Sequence, residues 1–272
     1  MIQTDALVLF VIDGLRPDGL RQASTPHLDR LAARGSYTYT ARTVMPSVTL
    51  PCHTSMFRGV TPERHGITTN VWVPPARPVP SLFDVLHRAK KPTYSIYNWE
   101  QLRDLGDPGS LDHSYFLNNC YEPGGDLELA ELAAGVLGDL ETGFAFVYLG
   151  YVDTVGHSQG WMSDPYLEAI AQADAAIGMI LAELPPEAVC IVTSDHGGHA
   201  QTHGTEMPED MTTPWLVCGP GIRRGYQLQE QVEIIDNPPT IATLLGVEPA
   251  PEWTGKVIAE VVAGEEAFAG LS

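Results

Sequence analysis

Three aspartates close apolar runs, and histidines stand close behind two of them. Leu7 to Ile12 runs into Asp13, Phe144 to Val152 into Asp153, and Val189 to Ser194 into Asp195. His157 comes four residues after Asp153, with Gly156 between them allowing a tight return, and His196 directly follows Asp195. His199 and His203 lie just beyond, in a glycine-rich stretch. Converging carboxylates repel one another unless a proton or a cation intervenes. Carboxylate oxygen with imidazole nitrogen is the donor mix of Zn²⁺ or Mn²⁺. So many donors exceed what one tetrahedral ion accepts, so two divalent ions are expected. His199 and His203 have the spacing of a helical zinc motif, but Ala200 stands where that motif needs Glu. Each piece alone is ordinary, since an Asp at a strand end is usually a turn former or cap. The joint pattern carries the inference.

A candidate nucleophile precedes these groups. Pro46-Ser47-Val48-Thr49-Leu50-Pro51-Cys52-His53 reads as a loop feeding a helix, with Pro51 suited to the first turn. That places Thr49 at the helix N-terminus, where unpaired backbone N–H groups favour an anion such as a phosphoryl group. Thr49 could also be only an N-cap. A hydroxyl attacks at neutral pH only when a base or a metal activates it, and the neighbouring donors supply the second option.

These residues need a rigid frame. Apolar runs alternate with helical patterns, which predicts an α/β fold with a largely parallel sheet. Strands are expected at Ala6–Ile12, Pro92–Ile96, Phe144–Leu149, Ala188–Thr193 and Trp215–Cys218. Helices are expected at Thr25–Gly35, Ser81–Ala89, Asp126–Leu140, Asp164–Leu184 and Asn237–Leu245. In such sheets ligands bind beyond the carboxyl ends of the strands, which would bring Asp13, Asp153 and Asp195 to one edge. The expectation is one domain over 1–272, with a loop-rich excursion around 70–125 that forms part of the substrate pocket.

Composition narrows the partners. The 272 residues are 44% hydrophobic and 18% charged, as in a globular core. A net charge of −19 argues against nucleic acid polymers and membranes as partners. An anionic substrate would then need a strongly positive group in the site, which bound metal supplies. The four cysteines Cys52, Cys120, Cys190 and Cys218 are scattered without a CxxC pair, so no thiolate zinc site or disulfide framework is expected. The short apolar run near the N-terminus has no basic leader, so a cytoplasmic location is expected.

The ordered set resembles the alkaline phosphatase superfamily, in its nucleotide pyrophosphatase/phosphodiesterase branch. It comprises Asp13, Thr49-Leu50-Pro51, Thr61-Pro62-Glu63-Arg64-His65-Gly66-Ile67, Asp153 with Gly156-His157, Asp195-His196-Gly197, and His203-Gly204. The resemblance implies a three-layer α/β/α sandwich and hydrolysis of a small-molecule phosphate ester. It implies one metal held by Asp153, His157 and His203, and a second held by Asp13, Asp195, His196 and Thr49, most simply zinc or else manganese. Thr49 would form a phospho-threonine intermediate. The branch is expected to carry Asn three positions after the nucleophile, binding a non-bridging oxygen; here Cys52 stands there, with Arg58 and Arg64 as possible substitutes. Trp72, Trp99 and Tyr121 could stack on a nucleobase or anchor loops. A phosphomonoesterase and a catalytically silent metal-binding protein are the alternatives. The sulfatase branch is disfavoured, because Thr49 cannot become formylglycine and His53 replaces the expected Arg. Mutases are disfavoured because they carry a large inserted domain.

Overall fold

A computed structural model describes residues 3–263; residues 1–2 and 264–272 of the expected domain lie outside the described residues. The strands are β1 (Ala6–Ile12), β2 (Ser36–Arg42), β3 (Thr93–Tyr97), β4 (His113–Phe116), β5 (Gly143–Leu149), β6 (Val189–Thr193), β7 (Thr212–Cys218) and β8 (Tyr226–Gln227). They form one sheet in the order β4-β3-β5-β1-β6-β7-β2-β8. The segment from β4 to β6 is parallel, whereas β7 runs antiparallel to both β6 and β2.

The helices are α1 (Pro17–Gln22), α2 (Pro26–Arg34), α3 (Thr49–Arg58), α4 (Pro62–His65), α5 (Leu82–Arg88), α6 (Gly125–Leu137), α7 (Tyr151–Gln159), α8 (Asp164–Glu183), α9 (Pro208–Met211) and α10 (Asn237–Leu244). Strand alternation explains how they layer. Leu7, Leu9 and Val11 of β1 face a core built with Leu50, Met56, Leu86 and Ile241. Val8, Phe10 and Ile12 face the opposite core, with Leu129, Tyr166, Ile170 and Ile177. A central parallel strand covered on both faces therefore reads as an unbroken apolar run. The result is the expected three-layer α/β/α sandwich, with α3, α5 and α10 on one face and α6, α7 and α8 on the other.

Several differences from the sequence expectation have clear causes. β2 (Ser-Tyr-Thr-Tyr-Thr-Ala-Arg) was not expected, because it sits near the sheet edge and carries few aliphatic residues. β4 and β8 are short and were likewise not foreseen. Helix α6 stops at Gly138, before the expected Leu140. Within 70–125, α5 and β3 stand where a helix and a strand are expected, and β4 is an additional strand.

The largest correction concerns Asp153. β5 ends at Leu149, and Asp153 lies in the first turn of α7. Its four-residue spacing to His157 is one helical turn, which stacks the two side chains on one face. Gly156 therefore makes no tight return. It sits inside a helix, where an added Cβ would lie 2.6 Å from the Trp161 ring.

All four cysteines are free, and Cys52, Cys120 and Cys190 are buried. Among the described residues no helix is long and apolar enough to cross a membrane.

Candidate active site

Adjacent parallel strands β5, β1 and β6 end side by side, and this delivers the carboxylates to one place. Asp13 follows β1, and its N–H donates to Leu149 O at 3.0 Å. Asp195 follows β6, and α7 leaves the end of β5 with Asp153 in its first turn. Helix α3 enters from the other layer. Its N-cap is Val48, so Thr49 is already helical and its hydroxyl is free of capping. Thr49 Oγ1 lies 3.2 Å from His196 Nε2.

Two groups of donor atoms emerge. Asp153, His196 and His203 offer ligand atoms within 4.8 Å of one another, as do Asp13, Asp195 and His196. His157 joins the first group, with Nε2 3.5 Å from Asp153 Oδ2 and 3.1 Å from His203 Nε2. His196 Nε2 is 3.3 Å from both Asp13 Oδ1 and Asp195 Oδ2.

The imidazoles are fixed from behind. Nδ1 of His157 meets Gln201 O at 3.0 Å, Nδ1 of His196 meets Gly197 O at 2.8 Å, and Nδ1 of His203 meets Ser47 O at 2.8 Å. A carbonyl only accepts, so each Nδ1 carries the proton and each Nε2 turns a lone pair inward. Burial also holds His203 down to about 2, which keeps it neutral.

The carboxylates show the opposite need. Asp13 Oδ1, Asp153 Oδ1 and Asp195 Oδ2 are buried without a hydrogen-bond partner among the described residues. Burial, then the charges of Asp195 and Asp153, raise the Asp13 carboxyl well above the usual range. Burial raises Asp153 and Asp195 as well. Unpaired buried carboxylate oxygens facing unprotonated imidazole nitrogens are what a divalent cation requires, so the residues fit bound metal. Tyr148 Oη donates a short hydrogen bond to Asp13 Oδ2, orienting that carboxylate.

Other expected residues lie elsewhere. Cys52 is fully buried, and its thiol accepts from Thr43 Oγ1 at 3.1 Å and points toward Pro46 O at 3.6 Å. Its thiol is thus engaged within the chain, by Thr43, Val44 and Pro46. Arg58 is buried, donating to Val79 O with its guanidinium 5.8 Å over the Trp72 ring. Arg64 reaches Arg77 O at 2.8 Å. Trp72 and Trp99 thus act as anchors, the latter donating to Tyr121 Oη at 3.2 Å. His199 is absent from the donor cluster; its Nδ1 pairs with buried Asp210 at 2.7 Å and closes the 199–205 loop.

The residue that sequence reasoning missed is Asn70. Its Oδ1 accepts from Leu50 N at 2.9 Å, directly beside Thr49. An exposed Asn in a loop has no local signal, so only the folded chain reveals it. His53 was also unassigned: fully buried, it meets Thr49 O through Nδ1 at 2.8 Å, and burial lowers it to about 3.

Comparison with known proteins adds an independent line. The sequence matches the model of the family described as type I phosphodiesterase / nucleotide pyrophosphatase over residues 7–103 and 98–211. It is 30% identical over 213 residues to ectonucleotide pyrophosphatase/phosphodiesterase family member 1 of Rattus norvegicus, covering 70% of this chain and 24% of that protein. The chain thus spans about a quarter of the length of that relative. An inactive threonine-to-alanine variant of murine ectonucleotide pyrophosphatase / phosphodiesterase 5, in complex with AMP, superposes with TM-score 0.81 at 15% identity, covering 96% of this chain and 100% of that one. Wild-type alkaline phosphatase PafA gives TM-score 0.80 at 13% identity, covering 97% and 100%. At these identities both structures establish the alkaline-phosphatase-like fold.

Proposed function

Since this chain belongs to the type I phosphodiesterase / nucleotide pyrophosphatase family, we propose that it hydrolyses small phosphodiesters or nucleotide pyrophosphates, with Thr49 as covalent nucleophile at a two-metal centre. The observation that carries the reading is the convergence of three orphaned carboxylate oxygens and three back-bonded imidazoles beside a helix-terminal threonine. Asp153, His157 and His203 would hold one ion; Asp13, Asp195, His196 and Thr49 Oγ1 would hold the other. Mixed imidazole and carboxylate donor sets suit zinc, with manganese as the alternative. When bound, the ions lower the cost of ionising the threonine hydroxyl and neutralise charge on the phosphoryl oxygens.

The protein's own groups do the rest. The Asn70 carboxamide, its Oδ1 held by the Leu50 N–H at the start of α3, would turn its amino group to a non-bridging oxygen and hold phosphorus in line with Thr49 Oγ1. Thr49 Oγ1 then forms a bond to phosphorus as the bond to the leaving oxygen breaks. Water attacks the threonine-bound phosphoryl group from the side the leaving group vacated, releasing the remaining phosphate monoester, and one proton of that water restores the Thr49 hydroxyl. Two in-line displacements retain configuration at phosphorus. The murine neighbour described as inactive carries an alanine for a threonine, which supports a threonine nucleophile here.

The test is metal-reconstituted hydrolysis of bis-para-nitrophenyl phosphate, the thymidine monophosphate para-nitrophenyl ester and para-nitrophenyl phosphate. Diesters should be preferred, and Thr49→Ala should lower kcat at least about a thousandfold with metal content unchanged. Near-wild-type turnover by that variant removes Thr49 as nucleophile. Preference for the monoester would reassign the protein as a phosphomonoesterase.

A further inference from the structure

Trp161 lies outside every ligand set named above, yet it touches the segments that carry all of those ligands except Thr49. It is 6% exposed, and its backbone N–H donates to Ala200 O at 2.8 Å, tying it to the loop before His203. Its indole Nε1 donates to Gly14 O at 2.9 Å, one residue beyond Asp13. Its ring lies flat enough on two glycines that an added Cβ would come within 2.6 Å at Gly156 and 2.2 Å at Gly198. Gly156 immediately precedes His157, and Gly198 follows His196 by two residues. The His157 ring stands edge-on to the indole at 5.1 Å and the His203 ring at 5.9 Å.

We infer that Trp161 is the positioning residue that sets the spacing between the two halves of the metal centre. Three independent ligand-bearing segments meet on one rigid ring, and a rigid ring transmits position as a flexible side chain does not. The hydrogen bond to Gly14 O fixes the segment carrying Asp13, and the glycine contacts fix the depth of the segments carrying His157 and His196. The inference rests on the metal-centre reading above. Its own content is that ligand spacing, and so metal affinity, depends on the bulk and the N–H of this indole.

The experiment is calorimetric titration of metal-stripped protein with Zn²⁺ and Mn²⁺, with circular dichroism and thermal melts run alongside. Trp161→Phe keeps most of the ring and loses the donor, and should weaken binding several-fold. Trp161→Leu loses both and should weaken it about 10–100-fold, the usual cost of losing a group that orients metal ligands. Gly198→Ala inserts a methyl group into the ring and should also weaken binding, whereas Gly198→Ala with Trp161→Ala makes room for that methyl and should recover part of the loss. If Trp161→Leu fails to fold, the Phe variant and the paired alanine exchange still decide the matter. Melting temperatures that fall while metal affinity stays at the wild-type value, or a double variant no better than Gly198→Ala, would overturn the inference alone. Wild-type protein that takes up neither metal would overturn the metal-centre reading, and this inference with it.

Discussion

At the residue scale, the reactivity proposed for Thr49 would depend on what does not bind it. Val48 takes the N-cap position, so the Thr49 hydroxyl faces His196 instead of its own helix. Beside Thr49, the structure brings in a residue that the sequence reading does not single out. Cys52 points away into the core, while Asn70 arrives from a distant loop to bond Leu50 N. Asn70→Ala would remove the proposed donor to charge that develops in the transition state. We expect kcat/KM for a diester to fall about 10–100-fold with Thr49 chemistry intact, read by steady-state kinetics. An unchanged kcat/KM would mean that Asn70 does not touch the phosphoryl group.

At the element scale, α7 must be held so that Asp153 and His157 present one face. Buried Asp126 does this from α6, accepting from Gly150 N at 3.1 Å, Tyr151 N at 3.2 Å and Asn98 Nδ2 at 2.8 Å. Burial raises its carboxyl from 3.8 to about 6, against the pull of those three donors. An acid whose folded pKa is raised binds its proton more tightly in the folded state. Its contribution to stability therefore declines as pH rises from about 4 to about 6 and is flat above that window. Asp126→Asn should abolish this component, so the stability difference between wild type and variant should shift in the variant's favour across that window. Metal-free melts at several pH values measure it, and parallel pH profiles for both proteins would refute the assignment.

At the scale of the whole molecule, net charge of −19 and three buried carboxylates make the metal-free protein electrostatically uncomfortable. Because burial raises Asp13, Asp153 and Asp195, with repulsion between carboxylates adding to it at Asp13 and Asp195, their protonation relieves the fold at acid pH, and a bound cation would do so at neutral pH. The gain in melting temperature on loading Zn²⁺ or Mn²⁺ should thus be larger near pH 8 than near pH 5.5, also because imidazole and carboxylate ligands must be deprotonated to bind. A gain independent of pH would argue against this carboxylate cluster as the binding site. With the same net charge, a bound metal pair would be the natural source of attraction for an anionic substrate.

Much of this protein is determined locally. The apolar runs of β1, β5 and β6 can only be strands covered on both faces, and parallel strands of adjacent order must end together. The types and order of Asp13, Asp153, His157, Asp195, His196 and His203 were therefore sufficient to expect a shared cluster, and the residues around Thr49 to expect a helix start. What the sequence did not contain is anything that depends on contact between distant segments. Asp153 reads as a strand end until the first turn of α7 is seen, because a short apolar stretch has no period long enough to separate strand from helix. Asn70, Asp126 and Trp161 are ordinary loop, helix and core residues until folding brings them to Leu50, Gly150 and Gly14. Position in three dimensions decides their roles, since a hydrogen bond or a ring contact is made across space and leaves no mark in spacing along the chain.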